Sequence, residues 1–125
     1  MIEEINNIPG APAAIGPYSQ AAVAGGLIFI SGQIPLNPET GELATGIENQ
    51  TEQVLKNLKA VLAHFNINFR NVAKTTIFLT DLANFQVVNS IYERHMSGAK
   101  PARATVQVSA LPKGAEIEIE MIAAK

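Results

Sequence analysis

Two stretches near the carboxyl end hold the residues best suited to chemistry. In RATVQVSA, Arg103, Thr105, Gln107 and Ser109 alternate with Ala104, Val106, Val108 and Ala110. In EIEIEM, Glu116, Glu118 and Glu120 alternate with Ile117, Ile119 and Met121. Successive side chains on a strand point to opposite faces, so each stretch has one polar and one apolar face. An arginine suits an anionic ligand because its planar guanidinium donates two parallel hydrogen bonds to a carboxylate. A glutamate beside it can draw a proton from water. The same residues also suit a solvated sheet face crossed by ion pairs, since three like charges on one strand repel unless solvated or partnered. Residue types alone leave both readings open.

Other chemistries find less support. The chain has no cysteine, which excludes disulfides, thiolate catalysis and cysteine-ligated metals. Its two histidines, His64 and His95, lie too far apart in sequence for a ligand spacing. Each is placed near a helix carboxyl end, where a histidine interacts with the helix dipole. Asp81, the single aspartate, precedes Leu82 in TDL and suits a helix N-cap. The glycines around SGQIP are too sparse for a phosphate-binding loop.

The elements that must position these residues follow from the hydrophobic pattern. Ile2 to Ile5 reads as a short first strand, and a Pro/Gly-rich loop runs from Pro9 to Pro17. Tyr18 to Ala24 and Leu27 to Ser31 read as strands joined at Gly25-Gly26. Val54, Leu58, Val61, Leu62 and Phe65 form one stripe at helical spacing, which predicts a helix from about Ile47 to Phe65. Val72 to Thr80 reads as strand. A second helix runs from about Leu82 to Met96, with Phe85, Val88, Ile91 and Tyr92 as its apolar side. Arg103 to Leu111 and Glu116 to Ala123 complete the strands, and Pro112-Lys113-Gly114 between them predicts an antiparallel hairpin. The apolar faces of that hairpin are expected under the helices. Its polar faces are expected toward water or another subunit, with the arginine face beside the glutamate face.

The order β-β-β-α-β-α-β-β predicts an α+β fold, a mixed sheet with two helices packed on one face. With 125 residues, 47% of them hydrophobic, the chain has the length and composition of one folded domain spanning residues 1–125. Nine basic against eleven acidic residues leave a net charge of −2, which offers no reason to expect nucleic acid or an anionic membrane as partner. Only 16% of residues are charged, and Thr105, Gln107 and Ser109 make a polar yet scarcely charged face. Both suit a wet subunit interface. The amino terminus is acidic and lacks the apolar run of a signal peptide, and no segment approaches the ~20 apolar residues of a membrane span. A cytoplasmic protein is the expectation.

Four segments, APAAIGPYSQ (11–20), SGQIPLNPETGE (31–42), KTTIFLTDLANFQVVNSIYE (74–93) and KPARATVQVSALPKGAEIEIEMIA (100–123), stand in the order and spacing of the RidA (Rid/YjgF) family of small imine deaminases. The chain resembles that family from about Pro12 to Ala123. The resemblance implies a chorismate-mutase-like fold in which three chains close their sheets into a central barrel, with the helices outside and the sites in clefts between neighbouring subunits. It implies that Arg103 binds the substrate carboxylate and Glu118 positions the hydrolytic water. Tyr18 of GPY, Ser31 and Gly32 of SGQ, Asn89 of the second helix and Thr105 fall on the substrate-binding positions. Many relatives have cysteine where this chain has Thr105, so no reactive thiol is available, and attack by water needs none.

The implied activity is that of a 2-iminobutanoate/2-iminopropanoate deaminase. Substrates would be 2-aminoacrylate and 2-aminocrotonate in their imine forms, the products 2-keto acids and ammonia, with neither metal nor cofactor. The rival expectation on the same trimeric fold is a non-catalytic small-molecule-binding or chaperone-like interaction protein. Nucleic-acid binding is disfavoured by the acidic charge and the lack of a basic patch.

Overall fold

The longest helix follows directly from its stripe. In the computed structural model, which describes all residues from Met1 to Lys125, α1 spans Ile47–His64 and buries Val54, Leu58, Val61 and Leu62 completely. Polar residues on the same side tie it down: the Asn57 amide donates to the carbonyls of Ile34 and Leu36 at 3.3 and 3.0 Å. The helix stops where Asn66 adopts a left-handed conformation (φ 59°). The amides of Asn66 and Ile67 then donate back to Ala63 and Leu62. This is the Schellman arrangement, which satisfies carbonyls the helix end would leave unpaired.

The sheet that α1 covers has six strands: β1 (Glu3–Ile5), β2 (Ala21–Ala24), β3 (Leu27–Gln33), β4 (Val72–Leu79), β5 (Ala102–Gln107) and β6 (Ile117–Ala124). The second helix, α2 (Phe85–Met96), lies between β4 and β5 in sequence. Across the sheet the order is β1-β2-β3-β6-β4-β5, antiparallel except for the β4–β5 pair. Gly25 and Gly26 both take positive φ, as a two-residue hairpin turn between β2 and β3 requires. Asp81 accepts from the Ala83 amide at 2.9 Å and caps a short 3₁₀ turn, Leu82–Asn84, so α2 begins at Phe85 rather than Leu82. One hydrophobic core lies between the helices and one face of the sheet, with Ile28, Ile77, Leu79, Ile117, Ile119 and Met121 at its floor. No helix is long and apolar enough to cross a membrane.

The expected β5–β6 hairpin does not form. β5 pairs in parallel with β4, and β6 lies on the other side of β4. The reason is α2: a strand that follows a helix packed on the sheet returns beside the strand before it in the same direction, making a β-α-β unit. Residues 108–116 then carry the chain around the end of β4, held by the Val108 amide on the Leu79 carbonyl and the Thr80 amide on the Glu116 carbonyl.

The face assignment of β5 is also reversed. Arg103, Thr105 and Gln107 sit in register with Thr75, Ile77 and Leu79, all buried beneath the helices. Ala104 and Val106 therefore belong to the open face. An edge strand lies at the rim of the core, so its helix-side residues need not be apolar. On β6 the expectation holds: Ile117, Ile119 and Met121 are buried, while Glu118 and Glu120 lie on the open face beside Phe78 and Thr76. That face is more apolar than the polar β5 pattern implied, because Leu27, Phe29 and Val106 expose about two fifths of their surface on it (38%, 41% and 41%).

Candidate functional site

Arg103 occupies an outer position. Its strand is an edge, paired only with β4, and its guanidinium folds toward α2. One terminal nitrogen donates to the Asn89 side-chain oxygen at 2.7 Å. The guanidinium carbon lies 5.6 Å from the centre of the Phe85 ring and 5.2 Å from that of Tyr92. Phe85, Asn89 and Tyr92 recur at helical spacing, so one stripe of α2 supplies all three contacts. The chain's two ion pairs both involve Glu52, with Arg94 and with His95, and no carboxylate pairs with Arg103. A cleft of about 460 Å³ opens beside it, lined by Asn89, Tyr92, Glu93, Met96 and the turn from Gly98 to Pro101; Glu93 shares the cleft without forming an ion pair with Arg103.

Beneath the guanidinium, polar groups go unpaired. The hydroxyls of Thr75, Tyr92 and Thr105 are buried without a hydrogen-bond partner. Burial raises the Tyr92 hydroxyl above its ordinary pKa, against the opposing influence of Thr75 and of the Arg103 charge. Thr105 shares the face of Arg103, two residues along the strand and so roughly 6.6 Å away.

The remaining expected residues gather elsewhere. β3 carries one residue more than β6 between the pairs Ile30–Met121 and Gln33–Ile119, so Ser31 and Gly32 form a bulge. The bulge presses Gly32 against Glu118: a β-carbon at Gly32 would lie 2.3 Å from a Glu118 carboxylate oxygen. Glu118 is half-buried, and its carboxyl is held above the usual carboxylate range first by desolvation and second by the Glu120 charge. Ser31 donates its hydroxyl to the Ser19 carbonyl at 2.5 Å, which fixes the loop before β2. Tyr18 lies on that loop, half exposed, and shares a cleft with Ser31, Ser19 and Phe29. Its hydroxyl accepts from the Ile15 amide at 3.4 Å.

A single chain thus holds two separate groups. Arg103, Asn89 and Thr105 belong to the helix side of the sheet edge, whereas Glu118 belongs to the open face, with Gly32 against it and Ser31 and Tyr18 alongside. The fold does not set Arg103 beside Glu118 as the hairpin expectation required. Phe85 and Tyr92 were legible only as the apolar side of α2; their spacing with Asn89 was the available signal. The His95 contact is another addition, because the imidazole bonds to Glu52 of α1 and links the two helices. No group of three or more histidine and acidic side chains is arranged to hold a metal ion.

A model of the endoribonuclease L-PSP family matches residues 9–125, nearly the whole chain. The chain belongs to this family, the Rid proteins. It is 50% identical to Reactive Intermediate Deaminase A, chloroplastic, of Arabidopsis thaliana, over 97% of this chain and 65% of that protein. It is 46% identical to the 2-iminobutanoate/2-iminopropanoate deaminase of Mus musculus, over 98% of this chain and 92% of that one. The solved structure of YyfA, a Rid-family protein of Yersinia pestis, superposes with a TM-score of 0.95 at 50% identity and covers both chains completely. The mixed sheet and paired helices are those of the Rid fold.

Proposed function

We propose that this Rid protein is a 2-iminobutanoate/2-iminopropanoate deaminase whose sites form between neighbouring chains of a homotrimer. One observation carries the site reading. Arg103 is a guanidinium held in place with no carboxylate in ion-pair contact, and Glu118 is a half-buried carboxylate with a raised pKa. Each lacks the other within its own chain. The names of the relatives supply the substrate class, small 2-imino acids. A neighbouring copy that lays its β3–β6 region against the β5 edge would bring the two groups together, and the exposed Leu27, Phe29 and Val106 give such a copy an apolar surface to bury.

In the assembled site Arg103 receives the substrate carboxylate in a paired hydrogen bond. Glu118 accepts a proton from a water molecule whose oxygen attacks the C=N carbon, and passes that proton to the imine nitrogen. The carbinolamine hydroxyl then gives its proton to Glu118, which returns it to the amino nitrogen as the C–N bond breaks; ammonia departs, and the keto acid remains. Tyr18, Ser31 and Gly32 would wall the site on the Glu118 side, Asn89 and Thr105 on the Arg103 side. No metal or cofactor enters this scheme. Such imines hydrolyse unaided, so a barrier reduction of about 1.4 kcal/mol per tenfold in rate goes far. A cytoplasmic setting beside the dehydratases that release these imines is part of the proposal.

The direct test couples the protein to a threonine dehydratase and follows 2-oxobutanoate. Its formation from the released imine should accelerate in proportion to added protein. A rate independent of the protein would leave a binding module and end the enzymatic reading. Light scattering at micromolar concentration should report three times the 13.3 kDa chain mass; a monomer would end the shared-site reading.

Gly32→Ala tests the bulge. The added carbon would meet the Glu118 carboxylate at 2.3 Å, and that flexible group must swing aside. The melting temperature should change little, while deamination falls on the order of tenfold or more, because small misplacements of a reacting group are costly. Wild-type turnover by this variant would show that the position of Glu118 is not critical.

A further inference from the structure

An arginine on an exposed strand edge is a poor gripping device unless something holds it still. Long basic side chains carry much rotamer entropy, and ordering one at the moment of binding weakens the hold on the ligand. The usual restraint is a carboxylate, but a carboxylate would occupy the donors and cancel the charge that an anionic substrate needs. Arg103 is restrained without one. Asn89 takes a single N–H at 2.7 Å, and the faces of Phe85 and Tyr92 take the cation at 5.6 and 5.2 Å. Aromatic faces attract a cation through their quadrupole without accepting its hydrogen bonds.

Tyr92 is itself fixed. It is buried against the core, and the polar group set against its hydroxyl is that of Thr75. Thr75, the β4 residue in register with Arg103, is buried as well. The Tyr92 hydroxyl points to Thr75 and away from the guanidinium's donors, so what Tyr92 offers Arg103 is its ring.

We propose that Phe85 and Tyr92 are positioning residues, whose ring faces hold the Arg103 guanidinium in its carboxylate-binding orientation while leaving its charge and outer N–H groups free. The inference rests on the reading of Arg103 as the carboxylate grip. Its content is a division of labour: Arg103 binds, Asn89 sets one nitrogen, and the two rings set the plane.

The experiment compares substitutions that keep a ring, Tyr92→Phe and Phe85→Tyr, with substitutions that keep only apolar bulk, Tyr92→Leu and Phe85→Leu. Two readouts are taken for each: binding of 2-oxobutanoate by calorimetry, and kcat and KM for the imine separately. Melting temperature is followed throughout. Each leucine variant should weaken 2-oxobutanoate binding and raise KM by roughly three- to tenfold, with a smaller change in kcat. Tyr92→Phe and Phe85→Tyr should recover most of the affinity that the leucine variants lose. Leucine variants that bind 2-oxobutanoate as tightly as wild type overturn the proposal, and so do ring-retaining variants as weak as the leucine ones. Should Tyr92→Leu not fold, the Phe85 pair, at a partly exposed position, decides the outcome by the same criteria. Wild-type protein that binds 2-oxobutanoate through Arg103 yet fails to deaminate would count against the deaminase reading alone, since the binding arm still reports on the rings.

Discussion

Arg103→Ala is expected to remove most of the deamination, and Arg103→Lys to recover little of it. The alanine variant loses a charge-assisted paired hydrogen bond to the substrate carboxylate, an interaction whose truncation costs about 2–5 kcal/mol when the partner is left desolvated. At 1.4 kcal/mol per decade that corresponds to a fall of roughly thirtyfold or more in kcat/KM. Lysine restores the charge, but three features of this site work against it. A lysine ammonium is a point charge with no flat fork for two carboxylate oxygens. It has no fixed terminal nitrogen to place on Asn89 while the others face the ligand. Its compact, strongly hydrated head also gains less from the Phe85 and Tyr92 faces than a flat guanidinium does. The check is steady-state kcat/KM for both variants on imine released in situ, with circular dichroism to confirm folding. A lysine variant as active as wild type would mean that only net charge matters at this position.

Glu118→Gln should retain shape and lose turnover. Glutamine keeps one carbonyl oxygen and the packing against Gly32 but cannot accept a proton from water. General-base catalysis is worth about 10²–10⁴ in rate, so a loss on the order of a hundredfold in kcat is expected, with 2-oxobutanoate still bound. Its neighbours differ in placement: Glu116 precedes β6, with its amide bonded to Gln50 at 2.8 Å, and Glu120 is exposed. Their glutamine variants should matter less. The pH profile adds a sign. Burial and the Glu120 charge raise the Glu118 pKa, so its base form is lost at a higher pH than for an ordinary glutamate. Glu120→Gln removes the like charge and should move the acid limb of the rate toward lower pH. Glu118→Gln near wild-type rate beside a collapsed Glu116 or Glu120 variant would shift the role along the strand. Full activity in all three would end the carboxylate-base mechanism.

How far the sequence could be read depended on the kind of interaction. The stripe through Val54, Leu58, Val61 and Leu62 is local, so α1 was legible to within a residue. The order of elements was legible for the same reason. Pairing was not, because alternation says that a strand has two faces and nothing about its neighbour or which face is covered. Ala104 and Val106 looked like a packing face, yet they lie open, while Arg103, Thr105 and Gln107 turn toward the helices. Gln107 even accepts the Leu82 amide ahead of α2, at 2.9 Å. The candidate site came from the four matched segments; Glu116, Glu118 and Glu120 cannot be told apart by alternation. Phe85 and Tyr92 stayed hidden because aromatic residues at helical spacing read as core, and their second contact, with a cation from an edge strand, depends on the parallel return of β5.

The sheet between Arg103 and Glu118 acts as a partition. On the shared-site proposal a newly made chain is inert and carries two half-sites that face away from each other. Catalysis begins with assembly, so diluting the protein below the dissociation constant of the assembly would switch the activity off however much substrate is present. Each half-site also serves a different neighbour. A mutation in one therefore disables a boundary rather than a chain, and chains defective in opposite halves can still share one working site.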